Sequence, residues 1–220
     1  MRILVIIISR DLNTSLRDNI QILKDSFGNE HQVDYAGVLS QDDFKNYEDI
    51  ITFKFKMLSP EQQESKLRDF IEAYRSELNY DWYVRIRPEV KLLEPLDFSK
   101  YMEKAMNARV RVYVGPKRIQ YGCSVGDPNG EWPALSFYRG SYSDVEGEII
   151  LDNTMYIFDN SLINSGFYSQ TEPYPPEKQD EHYFTRFLHT RNIHLNPVGI
   201  NIIFTRANGG LQTKSGHVNM

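Results

Sequence analysis

The sequence predicts an α/β fold, one domain built on an open, largely parallel sheet flanked by helices. Three observations predict it. Close to its start the chain has a continuous apolar, β-branched run, ILVIII from Ile3 to Ile8. Behind it, segments of strand composition alternate with segments of helical spacing. The 220 residues, 40% hydrophobic and 25% charged, have globular composition and suffice for one sizeable core.

Ile3 to Ile8 reads as a central parallel strand covered on both faces, because no polar residue interrupts it. Leu16, Ile20, Leu23 and Phe27 then recur at helical spacing, with Gly28 where a helix end favours a left-handed residue. Val33 to Leu39 and Ile50 to Met57 are the next strands, rich in β-branched and aromatic residues. Ser59, Pro60 and Gln62 form a helix start, and Leu67, Phe70, Ile71, Tyr74 and Leu78 give that helix its buried stripe.

Asp81 to Ile86 is a short strand that Arg87-Pro88-Glu89 must end, since proline cannot donate to a ladder. A short helix over Phe98 to Met106 and a strand over Val110 to Val114 follow. Gly115 to Glu148, with its glycines, aromatics and Asp127-Pro128-Asn129-Gly130 turn, reads as a loop-rich excursion suited to an acceptor surface or lid, or to packing. Ile149 to Phe158 is a further strand with a helix or turn near Ser161. Asp180 caps a late helix with Tyr183, Phe184, Phe187 and Leu188 on one face, and a strand covers Val198 to Phe204. The domain thus spans residues 1–206, and 207–220 reads as a polar tail.

The net charge of −5 supplies no broad cationic surface, which disfavours nucleic acid as a partner and a nuclease activity with it. Cys123 is the single cysteine, so no internal disulfide or cysteine metal cluster forms, and a reducing, cytoplasmic compartment fits best. The apolar start is too brief to span a bilayer, and no membrane span is expected. GxGxxG, Walker, HExxH and CxxC motifs are all absent.

Chemistry is therefore sought at strand ends, where open α/β sheets bind ligands. Ser9 and Arg10 follow the first strand, Arg85, Arg87 and Glu89 close the strand from Asp81, and Asp180 and Glu181 open the late helix. Paired guanidinium groups bind a diphosphate in bidentate fashion, and a nearby carboxylate can hold a divalent cation on the same oxygens. Asp180 or Glu181 can accept a proton from a hydroxyl nucleophile. Trp132, with Tyr138 and Tyr142, can contact a sugar, and Asp152 is a second candidate acceptor contact. Structural roles compete at each place: Arg85 and Arg87 suit the solvent side of an edge strand, Asp180 a helix cap, Glu181 a first-turn charge and Asp152 a strand start.

The order of segments resembles that of GT-A fold glycosyltransferases, particularly small viral and capsular-polysaccharide transferases, over roughly Arg2 to Arg206. RILVIIISRDL, YDWYVRIRPEVKLLEPLDF, LDNTMYIFDNSLINSGF and DEHYFTRFLHTRNIHL carry the resemblance. The second is similar to the family's YD-x-x-x-R-x-R-P-[DE] stretch, which stands in the place of the metal-binding DxD of other members. Here Glu89 is the one acid at that place, preceded by arginines. The DEHYFTRFL segment is similar to the helix start that supplies the base of inverting members, with Asp180 or Glu181 at the base position and Arg186 at an arginine position.

The resemblance implies a mixed sheet of the GT-A kind and transfer of a sugar from a nucleotide-diphosphate donor, a uridine one, to a hydroxyl of a glycan or glycoprotein, with inversion. It implies Ser9 and Arg10 at the nucleotide, Arg85 and Arg87 at the diphosphate, and Mn²⁺ or Mg²⁺ at Glu89. For a viral transferase the setting would be the host cytoplasm. A rival of another class is a binding module for nucleotide sugars or glycans that keeps the fold without turnover, a reading supported by the missing second acid.

Overall fold

A computed structural model of the chain describes residues 1–9, 20, 21, 24, 25, 27, 30–39, 48–56, 63–88, 90–92, 95–114, 119–123, 147–168, 180–200, 202–205 and 211–212. Strand β1, Arg2–Ser9, lies inside an eight-stranded sheet and pairs in parallel with β2, Gln32–Leu39, on one side and β4, Trp82–Ile86, on the other. Its apolar run from Ile3 to Ile8 is fully buried, as a strand covered on both faces requires. Strand β3, Phe53–Lys56, extends the parallel set beyond β2. Along it Lys54 and Lys56 are exposed while Phe53 and Phe55 are half-buried, so charges guard this outer strand.

Beyond β4 the sheet changes character. Strand β8, Gly147–Asp159, runs antiparallel to β4, and β6, Ala105–Val114, runs antiparallel to β8. Strand β7, Ile119–Cys123, pairs antiparallel with β6, and β9, His194–Pro197, pairs with β6 in parallel. The path reads β3-β2-β1-β4-β8-β6-β7 with β9 attached to β6. The sheet is therefore mixed, with its parallel half as the sequence indicated and an antiparallel half joined along β4 and β8.

A smaller sheet unites β5, Val90–Leu92, with β10, Ile202–Thr205, and β11, Leu211–Gln212. Pro88 does end β4, and the chain re-forms a ladder from Val90 in this second sheet, with Val90 opposite Phe204. Of the strand expected over Val198 to Phe204, the end is β10 in this smaller sheet, while Val198 to Ile200 are not strand and β9 has already ended at Pro197. Leu211 and Gln212, inside the expected tail, pair with Thr205 and Phe204.

Helix α1, Gln63–Tyr74, buries Leu67, Phe70 and Ile71, three of the expected stripe residues, at about 1.5–3 kcal/mol for each fully buried side chain. With helices α2, Asn160–Asn164, and α3, Asp180–Thr190, it covers one face of the sheet through a core that includes Leu4, Ile6, Tyr83, Tyr156, Phe158 and Phe184. Ile20 and Phe27, both helical, join Ile3, Val5, Trp82 and Val84 in the core on the other face. The helix expected over Phe98 to Met106 is only a 3₁₀ turn, Phe98–Lys100, capped by Asp97. Lys104 takes a left-handed φ of 57°, which ends any helix there, and Ala105 and Met106 already belong to β6. Among the described residues no helix is long and apolar enough to cross a membrane.

Candidate functional site

Strand order reverses at β1, with β2 and β3 on one side and β4 on the other, and such reversals open a crevice beyond the carboxyl ends of the strands. Ile7 is aligned with Ile86, so Ser9 and Arg87 leave neighbouring strands at the same edge. The backbone N–H of Arg87 donates to the carbonyl of Thr154 at 3.1 Å, which ties this exit to β8. The Arg87 side chain is half-buried.

Asp152 reaches the same edge from the antiparallel half. Ala108 pairs with Tyr156 but Val110 pairs with Leu151, so β8 bulges over residues 152–155 relative to β6. Bulges of this kind bend a strand and redirect its side chains. Asp152 therefore stands within β8, not at its start.

Helix α3 brings Asp180 and Glu181 to that edge as well. The backbone N–H of Leu151 donates to Thr185 Oγ1 at 2.9 Å, and the far end of the helix leads into β9 beside the start of β6. Because β6 starts at the amino edge, α3 must run from the carboxyl edge downward, with Asp180 and Glu181 in its first turn. Asp180 is the first helical residue, one step inside the expected cap.

Arg85 is placed differently from either expectation. Strand β4 is central, so Arg85 is on no solvent side, and its side chain has 0% exposure. Its guanidinium forms an ion pair with Glu64 at 3.3 Å, donates to Gln63 Oε1 at 2.7 Å and lies over the Tyr156 ring, 5.5 Å from the centroid. Glu64, also fully buried, accepts a short hydrogen bond from the Tyr156 hydroxyl. Arg85 and Tyr156 are directly paired across β4 and β8. The charge that was expected on a diphosphate is engaged inside the fold, which leaves Arg87 as the described arginine at the strand exits.

Burial, then the Glu64 charge, pushes the Tyr156 hydroxyl well above its usual range, and burial does the same to Tyr168 in the same pocket. Burial thus favours the protonated hydroxyl at both, and Tyr156 donates to Glu64. Glu64, Gln63 and Tyr156 were not singled out from the sequence. The signal was an arginine inside an otherwise apolar strand, since a buried guanidinium demands a buried carboxylate.

Arg10, Glu89 and Trp132 lie outside the described residues, as do Tyr138 and Tyr142. Among the described residues no group of three or more His, Cys, Asp or Glu side chains could hold a metal ion. Glu89, where Mn²⁺ or Mg²⁺ was expected, is not among those residues. No protein-family model matches the chain, and no curated protein matches it.

Proposed function

We propose that the chain is a glycosyltransferase of GT-A type that uses the carboxyl edge of its sheet to move a sugar from a nucleotide-diphosphate donor to a hydroxyl of a glycan or glycoprotein. The observation that carries this reading is the convergence of Ser9, Arg87, Asp152 and the first turn of α3 on one edge, at the reversal of strand order. A uridine donor and an inverting outcome come from the sequence resemblance.

In this reading the nucleotide lies against Ser9 and Arg10, and Arg87 meets the diphosphate. Arg85 acts from beneath through the fold. Trp132 and Asp152 border the acceptor. Asp180 or Glu181 takes the proton of the acceptor hydroxyl, whose oxygen bonds to the anomeric carbon as the bond to the diphosphate breaks. The nucleoside diphosphate leaves with the bonding electron pair. The partial positive charge of the helix N-terminus keeps the carboxylate ionised and ready as a base. Glu89 would hold Mn²⁺ or Mg²⁺, whose chemistry would be to neutralise the leaving diphosphate. A cytoplasmic setting agrees with the single cysteine.

Turnover of a uridine-diphosphate sugar by wild type, Asp180→Asn and Glu181→Gln tests the base. One variant should lose about 10²–10⁴-fold in turnover with donor affinity nearly intact, because proton transfer belongs to the chemical step. If both folded variants keep near-normal turnover, α3 supplies no base. The engagement of Arg85 by Glu64 favours one second reading, a module that binds nucleotide sugar without turnover. Uridine diphosphate would then raise the melting temperature of a wild-type protein that releases no product from any donor.

A further inference from the structure

The seam between the two halves of the sheet runs along β4 and β8, and one cluster of buried polar groups sits on it. Arg85 on β4 is paired in register with Tyr156 on β8, and Glu64 from the first turn of α1 takes the Arg85 charge on one oxygen and the Tyr156 hydroxyl on the other. Gln63 adds a second acceptor for Arg85. Phe184 of α3 stacks on Tyr156 with ring centroids 5.7 Å apart, so the same cluster touches the helix that begins at the carboxyl edge.

Such a cluster is a poor device for raising stability. Desolvating two charges offsets most of their attraction, and apolar groups of matching volume generally serve as well. What an ion pair and a hydrogen bond from one carboxylate do provide is direction. They fix the start of α1 in one placement across β4 and β8, whose own pairing the backbone ladder holds, where an apolar contact would let the helix shift.

We infer that Glu64 is a positioning residue, which clamps α1 across the β4–β8 seam and so steadies the spacing between Ser9 and Arg87 on one half of the sheet and Asp152 and the start of α3 on the other. This rests on the proposed function only for what the placement serves. The clamp itself is a property of the fold.

The test compares wild type, Glu64→Gln and the double variant Glu64→Leu/Arg85→Met. Glu64→Gln removes the carboxylate paired with the buried Arg85 and should melt well below wild type. The double variant removes both charges but also the Glu64 acceptor of the buried Tyr156 hydroxyl, so it should melt between Glu64→Gln and wild type. Amide hydrogen exchange then reads the seam: at Leu151 to Thr154 and in the first turn of α3 the double variant should exchange about tenfold faster or more, with β1 unchanged. Its affinity for uridine diphosphate should fall about tenfold, since small misplacements of a binding edge are costly. Exchange equal to wild type everywhere overturns the inference. So does a loss of melting temperature with exchange rising uniformly, β1 included, because the cluster would then support the whole fold and not its edge. If wild type itself does not respond to uridine diphosphate, the donor-site reading fails, and the exchange comparison still decides the clamp.

Discussion

A buried arginine on a central strand needs an anion within reach, and Arg85 has Glu64. That requirement was legible as a demand, since Arg85 stands between Val84 and Ile86, but the identity of the partner was not. Glu64 is 21 positions away on a helix whose start reads equally well as an ordinary acidic first turn. Tyr83, on the same face of β4, shows the same economy of buried polar groups. Its hydroxyl donates to Asn160 Oδ1 at 3.1 Å and accepts from the Tyr80 backbone at 3.4 Å. Burial pushes this hydroxyl up to about 12, against 10.0 for an ordinary tyrosine. Burial raises Tyr156 too, so in the fold both hold protons that the unfolded chain releases near pH 10. The stability they contribute is fully present below pH 10 and is lost above it, for Tyr83 as the pH rises through about 12. Melting curves should therefore fall steeply above pH 10, and the tyrosinate absorbance that wild type shows beyond a Tyr83→Phe/Tyr156→Phe variant should appear only in step with unfolding; that difference appearing in the intact fold at pH 10 would contradict it.

At the scale of elements, the end of α3 shows how local chemistry fixes a boundary. Asn192 adopts a left-handed φ of 53°. The backbone N–H of Ile193 donates to Leu188 and that of Asn192 to His189, the paired bonds of a Schellman cap, and Ile193 is buried behind them. Asn192→Val should cost about 1–2 kcal/mol, because a β-branched residue resists that conformation, while Asn192→Gly should leave stability level or raise it. Chemical denaturation measures both, and a tolerated valine would show that the cap is not needed. Elements with strong periodicity or unbroken apolar character were legible, as β1, α1 and α3 illustrate. The segment over Phe98 to Met106 was not. Its hydrophobic spacing fits a helix, but Asn107 draws it back by accepting from the Met102 N–H at 2.8 Å and donating to the Met102 carbonyl at 2.9 Å. That the strand expected from Val198 starts at Ile202 and joins the smaller sheet was equally hidden, since strand composition does not say which sheet a strand will join.

In the whole molecule, a parallel half with a reversal at β1 meets an antiparallel half along β4 and β8, and the described candidate groups gather where both reach the carboxyl edge. The parallel half was legible because alternating strands and helices leave few topologies. The antiparallel half was not, because nothing in the composition of β8 fixes its direction or its place between β4 and β6. Ser9 and Arg87 were readable as strand exits, whereas their meeting with Asp152 and α3 depends on that hidden insertion. The central claim is that this shared edge binds a nucleoside diphosphate. A crystal soaked with uridine diphosphate and Mn²⁺ tests it most directly. The diphosphate should lie beyond the ends of β1 and β4, within hydrogen-bond reach of Arg87, with the first turn of α3 facing the sugar position. A nucleotide bound elsewhere on the molecule, or none at saturating concentration, would show that the edge is not a donor site.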